Sequence, residues 1–387
     1  MKVRTAAMNE PCLHERHRRE TAGLYVMSPV GDMSILSGGT KENDLFYCDY
    51  NEGAHERIIK RLVETNLEQT TGYGEDDYCR QAAEMILEKC ELPEGQVHFL
   101  VGGTQTNLTV IAACLKPWQG VISADTGHIN CHETGAIEAT GHKVLALPGR
   151  NGKLKGDQIR EVVKAHREDG SHEHMVQPGM VYISNPTEIG TIYHQKSLED
   201  LYNACQECGL YLYIDGARMG YGLMARDNDL TLPFIARHCD AFTLGGTKQG
   251  ALFGEAVVIT NPALGKDFRY LIKQRGGMLA KGRLLGIQFQ ELMKDDLYFE
   301  LSAHANAMAM KIRSTLVDLG IPMPIGSTTN QQFAVFTDSE LGRLAGKYSF
   351  SYWERVDASH SMVRICTSWA TREEDVDALI KDIRREK

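Results

Sequence analysis

The 387-residue sequence lacks the features that mark membrane, secreted and nucleic-acid-binding proteins. No apolar run approaches the roughly 20 residues needed to cross a bilayer, and the start, MKVRTAAMNEPCLHERHRRE, has no apolar signal-peptide core. Basic charge is not in excess, because 51 Asp and Glu outnumber 42 Lys and Arg, which disfavours a nucleic-acid partner. We therefore expect neither membrane nor nucleic acid as a partner, and we interpret residues 1–43 as a flexible extension.

The ten cysteines show no disulfide framework. They are scattered along a chain long enough to bury a large core, which is typical of a reducing compartment and of buried thiols. Cys205 and Cys208 form a CxxC inside a helical pattern, where packing is the usual role. His128 and His132 have the i, i+4 spacing of metal ligands, but no third ligand follows. The sequence thus predicts a cytoplasmic protein without a bound metal.

From residue 96 onward, short apolar runs alternate with amphipathic helical patterns. The runs are QVHFLVG, GVISAD, HKVLALP, MVYISNP, LYLYID, AFTLGG and EAVVIT. This alternation predicts a parallel sheet covered by helices. Only TKQGALFG separates the last two runs, which is too short for a parallel crossover, so EAVVIT should run antiparallel to its neighbour. The predicted fold is α/β, with a mixed seven-stranded sheet and helices on both faces.

Beyond residue 276 the pattern changes to long helical periods, followed by the strand candidates QQFAVFTD and SMVRICTSW. This change predicts a smaller α+β domain at the C-terminal end. We therefore divide the chain into the extension 1–43, a segment 44–79 that lines the site, a large α/β domain 80–275 and a small α+β domain 276–387.

Polar and reactive residues follow the ends of four predicted strands. Asp215 ends LYLYID, Lys248 follows AFTLGG, and His128 follows GVISAD. FLVGG leads into Thr104 and Gln105 at a helix start, where free N–H groups suit phosphate, although a plain capped turn is as common. Alone, the aspartate could cap a helix and the lysine and histidine could face solvent. Ligands of open α/β sheets bind beyond the carboxyl ends of strands, so we expect these residues to lie close together.

Taken together, these residues match the needs of pyridoxal phosphate. That cofactor requires an anion site, a flat stacking partner, a carboxylate for its pyridinium nitrogen and an amine for its aldehyde. Asp215 and Lys248 are 33 positions apart (248 − 215), on successive predicted strands. Burial and neighbouring positive charge lower the pKa of such a lysine, which favours the free amine.

At these motifs the sequence resembles the threonine aldolase and β-eliminating lyase family, within the aspartate aminotransferase-like fold of pyridoxal-phosphate enzymes. The resemblance extends roughly from Asp44 to the C-terminus. It rests on DYNEGAHERI, GYGEDDYC, FLVGGTQTN, HINCHETGA, YIDGARMG, LGGTKQGALFGEAVVI and MVRICTSW. The chain departs from typical aldolases at Thr247, where the family usually has serine before its lysine, and in the turn KQGALFGEA, which indicates a divergent branch.

The resemblance implies roles for individual residues around the cofactor. Lys248 would form the Schiff base, Asp215 would hold the pyridinium nitrogen, and His128 would stack on the ring; these three are the predicted catalytic residues. The whole predicted cofactor site consists of Gly103, Thr104, Gln105, His128, Asp215, Arg218 and Lys248.

The substrate site implied by the resemblance is a clamp of two arginines. Arg218 and Arg364 would bind the α-carboxylate of an amino acid, for which a guanidinium is well shaped. Glu52 is a further substrate-contact candidate.

The activity implied is cleavage of L-threonine, L-allo-threonine or a related β-hydroxy-α-amino acid to glycine and an aldehyde. His128, with His132 or a water, is the candidate base for the β-hydroxyl proton. The alternative is a lyase that eliminates a β-substituent with the same cofactor. A binding protein without turnover is disfavoured by the intact residues, and the fold implies a homodimer or homotetramer.

Overall fold

The structure, a computed structural model, describes residues 45–385. The extension predicted for residues 1–43 lies outside the described residues. Within the described range, no helix is long and apolar enough to cross a membrane. The strands are β1 (Gln96–Leu100), β2 (Gln119–Ala124), β3 (Val144–Leu147), β4 (Gln177–Ser184), β5 (Tyr211–Asp215), β6 (Ala241–Gly245), β7 (Glu255–Ile259), β8 (Gln331–Thr337), β9 (Ser351–Arg355) and β10 (His360–Cys366).

Helices fill most of the connections between these strands. They are α1 (Glu56–Glu64), α2 (Asp77–Lys89), α3 (Gly103–Cys114), α4 (His128–Cys131), α5 (Gly156–Glu168), α6 (Gln195–Cys208), α7 (Met219–Leu223), α8 (Leu232–Arg237), α9 (Pro262–Gly265), α10 (Phe268–Gln274), α11 (Arg283–Met293), α12 (Leu297–Asp318), α13 (Asp338–Leu344) and α14 (Glu373–Arg384).

The seven predicted strands form one mixed sheet, as the sequence indicates. Its order is β1-β7-β6-β5-β4-β2-β3. β7 pairs antiparallel with both β1 and β6, whereas the other pairs are parallel. The predicted reversal of EAVVIT is therefore confirmed. Because β1 to β6 all run the same way, their carboxyl ends meet at one edge of the sheet, where α/β proteins bind ligands.

Both faces of this sheet are buried, because successive side chains of a strand point to opposite faces. One face carries Leu212, Ile214 and their equivalents in a core shared with α2, α5, α6, α11 and the start of α12. The other face carries Tyr213 and its equivalents, packed against α3 and α10. Helices on both faces explain why the strands are nearly continuous apolar runs.

The C-terminal helical run is divided at Asp295 and Asp296. These residues adopt φ values of 54° and 59°, in the left-handed region, and separate α11 from α12. Apolar side chains on both sides of this break, among them Phe289 of α11 and Leu301 of α12, pack in the core of the large sheet. The domain boundary at residue 276 stays a prediction, and this packing favours placing α11 with the large unit.

The small unit contains a three-stranded antiparallel sheet of order β8-β10-β9, with its own core shared with α12, α13 and α14. β8 and β10 correspond to the predicted QQFAVFTD and SMVRICTSW. β9, SYWER, was not predicted, because most of its residues are exposed at the sheet edge and show no apolar alternation. The α+β character predicted for this region is confirmed.

Candidate active site

The predicted site residues lie at the carboxyl edge of the large sheet. Asp215 is the last residue of β5, and Lys248 comes three positions after the end of β6. His128 begins α4 after β2, and Gly103 begins α3 after β1. The fold therefore brings a carboxylate, an amine, an imidazole and a helix N-terminus together at one edge of the sheet.

Asp215 is buried and held by three donors. Its Oδ2 accepts hydrogen bonds from the Tyr182 hydroxyl at 2.7 Å and from Asn107 Nδ2 at 2.9 Å. Its Oδ1 accepts from the main-chain N–H of Ala217 at 2.9 Å. The Asn107 amide is oriented in turn by the Tyr213 hydroxyl, which donates to its Oδ1 at 2.8 Å. A carboxylate fixed in this way is well placed to hold a protonated ring nitrogen.

His128 is anchored both by its ring and by its main chain. Ring atom Nδ1 lies 2.8 Å from Oε1 of Glu133, whose side chain is fully buried. The main-chain N–H of His128 donates to Glu188 Oε1 at 2.8 Å, and the same oxygen accepts from the Ser184 hydroxyl at 2.6 Å. Burial raises the pKa of Glu188. The His132 ring lies 5.5 Å from that of His128, centroid to centroid.

The start of α3 offers unpaired main-chain N–H groups. Its N-cap residue, Gly102, makes no side-chain capping bond, and a Cβ at Gly102 or Gly103 would meet open space. The side chain of Gln105 is already used, since it accepts from Val101 N–H and donates to the Arg275 carbonyl, both at 3.2 Å. Gln105 can therefore serve an anion at this helix start through its main-chain N–H alone.

Lys248 is part-buried among several charges. Burial lowers the pKa of its amine most, and the positive charge of Arg218 lowers it further; Asp49, Glu255 and Asp215 act in the opposite direction. The Tyr221 hydroxyl donates to the main-chain carbonyl of Lys248 and fixes the turn. A lysine in this setting has the lowered pKa expected of an amine nucleophile.

Glu255 is a buried carboxyl group that the sequence analysis did not identify. It opens β7, opposite Gly245 of β6 on one side and Leu100 of β1 on the other. Its Oε2 is buried without a hydrogen-bond partner among the described residues. Burial raises the pKa of Glu255 to about 8, although the charge of Lys248 acts to lower it.

Arg218, one of the two predicted clamp arginines, is paired with a buried carboxylate. Its Nε and Nη2 donate to the two carboxylate oxygens of Asp49 at 2.7 and 2.9 Å. Asp49 is fully buried, accepts a further bond from Asn330, and has its pKa lowered to about 2 by Arg218 and Lys248 against the effect of burial. One edge of the Arg218 guanidinium is thus paired with an internal carboxylate, and its role as a substrate contact stays a prediction.

Arg364, on β10, has a different environment. Its Nη1 donates to Gln331 at 3.1 Å and its Nη2 to Ser351 at 3.0 Å, and both acceptors are neutral. Its Nε is buried without a partner, and no carboxylate lies within ion-pair distance of it in residues 45–385. Glu52 is exposed on the loop between Asp49 and α1. Of the two predicted clamp arginines, Arg364 is the one whose charge no described carboxylate compensates.

The described residues hold no group of three or more His, Cys, Asp or Glu side chains that could bind a metal. Cys205 and Cys208 are free thiols buried in α6, where both pack in the core. The packing role predicted for them is therefore consistent with their position.

Sequence reasoning missed Asp49, Asn107, Glu133 and Glu255 as site residues. All four occur in motifs quoted for the family resemblance, but for Asp49, Asn107 and Glu133 the residue type alone indicates no particular chemistry. Glu255 did carry a signal, since a carboxylate that opens an otherwise apolar strand is costly to bury without a purpose.

Comparison with known proteins assigns the family. The model for the beta-eliminating lyase family matches residues 52–339. The chain belongs to the beta-eliminating lyase family. The low specificity L-threonine aldolase of Pseudomonas sp. (strain NCIMB 10558) is 28% identical to this family member over 351 residues, which cover 89% of this chain and 98% of the relative.

Solved structures agree with this family assignment. The threonine aldolase of Leishmania major superposes with a TM-score of 0.86 at 45% identity, covering 88% of this chain and 98% of that one. A Thermus thermophilus aspartate aminotransferase double mutant gives a TM-score of 0.66 at 14% identity, covering 95% and 100%. The aspartate aminotransferase-like fold predicted from the sequence is confirmed.

Proposed function

We propose that this protein cleaves L-threonine, L-allo-threonine or a related β-hydroxy-α-amino acid to glycine and an aldehyde, with pyridoxal phosphate as cofactor. The observation that carries the proposal is the convergence of Lys248, Asp215 and His128 at one edge of the sheet. Its family uses pyridoxal phosphate, and relatives that match most of its length are named threonine aldolases.

The residues present fit this cofactor. The open space beside Gly102 and Gly103 leaves room for a phosphate at the N-terminus of α3, where N–H groups of Gly103, Thr104 and Gln105 would bind it. Asp215 would hold the ring nitrogen and Lys248 would hold the cofactor covalently through Nζ. When bound, pyridoxal phosphate supplies an electron sink for the negative charge that develops at the α-carbon of the amino acid.

The remaining residues would bind the substrate and move its proton. Arg364 has an uncompensated guanidinium and would bind the α-carboxylate. Arg218, paired with Asp49, would act on the site mainly by lowering the pKa of Lys248. His128 would accept the β-hydroxyl proton at Nε2, because its Nδ1 is turned toward Glu133. His132 is exposed beside it and is the second candidate for this proton transfer.

Elimination of a β-substituent is the alternative activity, favoured by the name of the family model. Product analysis separates the two. Purified protein with added pyridoxal phosphate should release glycine and acetaldehyde from L-threonine or L-allo-threonine. Release of pyruvate and ammonia from β-chloro-L-alanine, without glycine from either threonine isomer, would contradict the aldolase proposal. The variant Lys248→Ala should be inactive, whereas Lys196→Ala, at an exposed lysine of α6, should retain activity.

We further propose that the protein is a homodimer or homotetramer, because cofactor sites of this fold commonly lie near a subunit boundary. Light scattering of the purified protein tests this proposal. A monomer at micromolar concentration would contradict it.

A further inference from the structure

A continuous chain of hydrogen bonds runs through the site from His128 to Asp215. His128 Nδ1 lies 2.8 Å from Glu133 Oε1, and the same oxygen accepts from Asn107 Nδ2 at 2.7 Å. Asn107 Nδ2 also donates to Asp215 Oδ2 at 2.9 Å. The chain thus joins the residue proposed to stack on the cofactor ring to the residue proposed to hold the ring nitrogen.

The direction of these hydrogen bonds is determined by the groups themselves. The Tyr213 hydroxyl donates to Asn107 Oδ1, so that the amide nitrogen of Asn107 must face the two carboxylates. Glu133 Oε1 therefore accepts from Asn107 and leaves His128 to donate from Nδ1. A histidine that carries its proton on Nδ1 presents the lone pair of Nε2 to the site.

Packing alone does not explain a carboxylate at position 133. The Glu133 side chain is fully buried, and its Oε2 has no hydrogen-bond partner among the described residues. A buried carboxylate with one idle oxygen costs free energy, and an apolar side chain could fill the same volume. The interactions of the Glu133 carboxylate are the two hydrogen bonds that its Oε1 makes with His128 and Asn107.

We infer that Glu133 is a positioning residue that fixes the ring orientation and the Nδ1–H tautomer of His128 and, through Asn107, couples them to the orientation of Asp215. This inference rests on the proposed function, because it gives His128 Nε2 the free lone pair needed to accept the β-hydroxyl proton. The carboxylate also balances the positive charge that the ring acquires on accepting that proton.

Two substitutions separate orientation from charge. In Glu133→Gln the amide oxygen can still accept from His128 and Asn107, so that ring orientation is kept while the charge is lost. In Glu133→Leu the acceptor of both hydrogen bonds is removed. Glu138→Gln, at an exposed residue of the same segment, is the matched control.

The first measurement uses the protein without cofactor. Diethyl pyrocarbonate labels accessible neutral imidazole, and peptide mass spectrometry gives the labelling rate of His128 relative to His132. We expect the relative rate to rise at least about threefold in Glu133→Leu, because the ring is released, and to stay near wild type in Glu133→Gln and Glu138→Gln. An unchanged rate in Glu133→Leu would overturn the inference.

The second measurement uses the protein loaded with pyridoxal phosphate. Partners that orient a metal-bound histidine are worth about 10- to 100-fold in activity, and we take the same range for His128. We expect kcat for L-threonine to fall about 100-fold in Glu133→Leu and about 10-fold in Glu133→Gln, with KM changed less than about threefold. The circular dichroism signal of the bound cofactor should be weaker than wild type in Glu133→Leu and close to wild type in Glu133→Gln.

The outcomes remain distinguishable from failure of the proposed function. Absence of glycine from the wild-type protein would refute the proposed function, while the labelling experiment would still test Glu133. Wild-type kcat and circular dichroism in Glu133→Leu, or equal losses of both in the Leu and Gln variants, would overturn the positioning role.

Discussion

The ion pair between Asp49 and Arg218 should make a large contribution to stability that depends on pH. Asp49→Asn keeps the size of the side chain but leaves the guanidinium of Arg218, whose side chain is 12% exposed, without a counter-charge. Removing one partner of a buried pair costs about 3–5 kcal/mol. The lowering of the Asp49 pKa from 3.8 to about 2 corresponds independently to about 2 kcal/mol at about 1.4 kcal/mol per pH unit. We therefore expect Asp49→Asn to reduce the free energy of unfolding by about 2–3 kcal/mol at pH 7.

The pH dependence has a definite sign. Because the pKa of Asp49 is lower in the folded state, its contribution is complete above the ordinary value of 3.8 and is lost as the pH falls toward about 2. The difference between wild type and Asp49→Asn should shrink by about 1 kcal/mol between pH 5 and pH 3. Urea unfolding followed by circular dichroism measures this difference, with Asp318→Asn, at an exposed aspartate, as control. Equal unfolding midpoints at pH 7, or a difference that widens toward pH 3, would refute this reasoning.

Three further changes test other parts of the site. Because burial raises the pKa of Glu255 to about 8, the folded protein keeps a proton there that the unfolded chain releases. The unfolding free energy of wild type relative to Glu255→Gln should therefore fall as the pH rises from about 5 to about 8. A difference in unfolding free energy that does not change with pH would contradict this expectation. Tyr182→Phe removes a hydrogen bond to the Asp215 carboxylate, so the dissociation constant for pyridoxal phosphate should rise about tenfold in an absorbance titration; unchanged affinity would contradict the role given to this bond. Arg364→Ala should raise KM for threonine at least about tenfold without changing cofactor affinity. Arg364→Lys should not restore the wild-type KM, because an ammonium cannot form the two parallel hydrogen bonds of a guanidinium. A wild-type KM in Arg364→Lys would exclude the proposed contact.

The large sheet was predictable because its evidence is local. Each buried strand is a short apolar run, and the eight residues of TKQGALFG between the last two runs were enough to predict the antiparallel β7. The break between α11 and α12 was not predicted, because Asp295 and Asp296 adopt left-handed conformations in a stretch, residues 287–319, that has helical periodicity and no glycine or proline. β9 was missed because an exposed edge strand carries too few apolar residues to show a period of two.

The individual positions of the site residues were easier to predict than their pairings. Lys248, Asp215 and His128 follow strand ends, so the fold brings them to one edge. The partner of Arg218, by contrast, lies 169 positions away at Asp49, and Asn107 is 108 positions from Asp215. Spacing along the chain carries no information on such contacts, which arise only when separate elements pack together.

The reversal of β7 has a consequence for how the site can change. Every other strand of the large sheet brings its last residue to the ligand edge, whereas β7 brings its first, and the ladder fixes Glu255 opposite Gly245. A single inserted residue that shifted this ladder would turn Glu255 to the opposite face of the sheet and move Val257 and Ile259 out of their core. The short loop from β6 to β7, which carries Lys248, therefore cannot change in length without moving Glu255 away from the site.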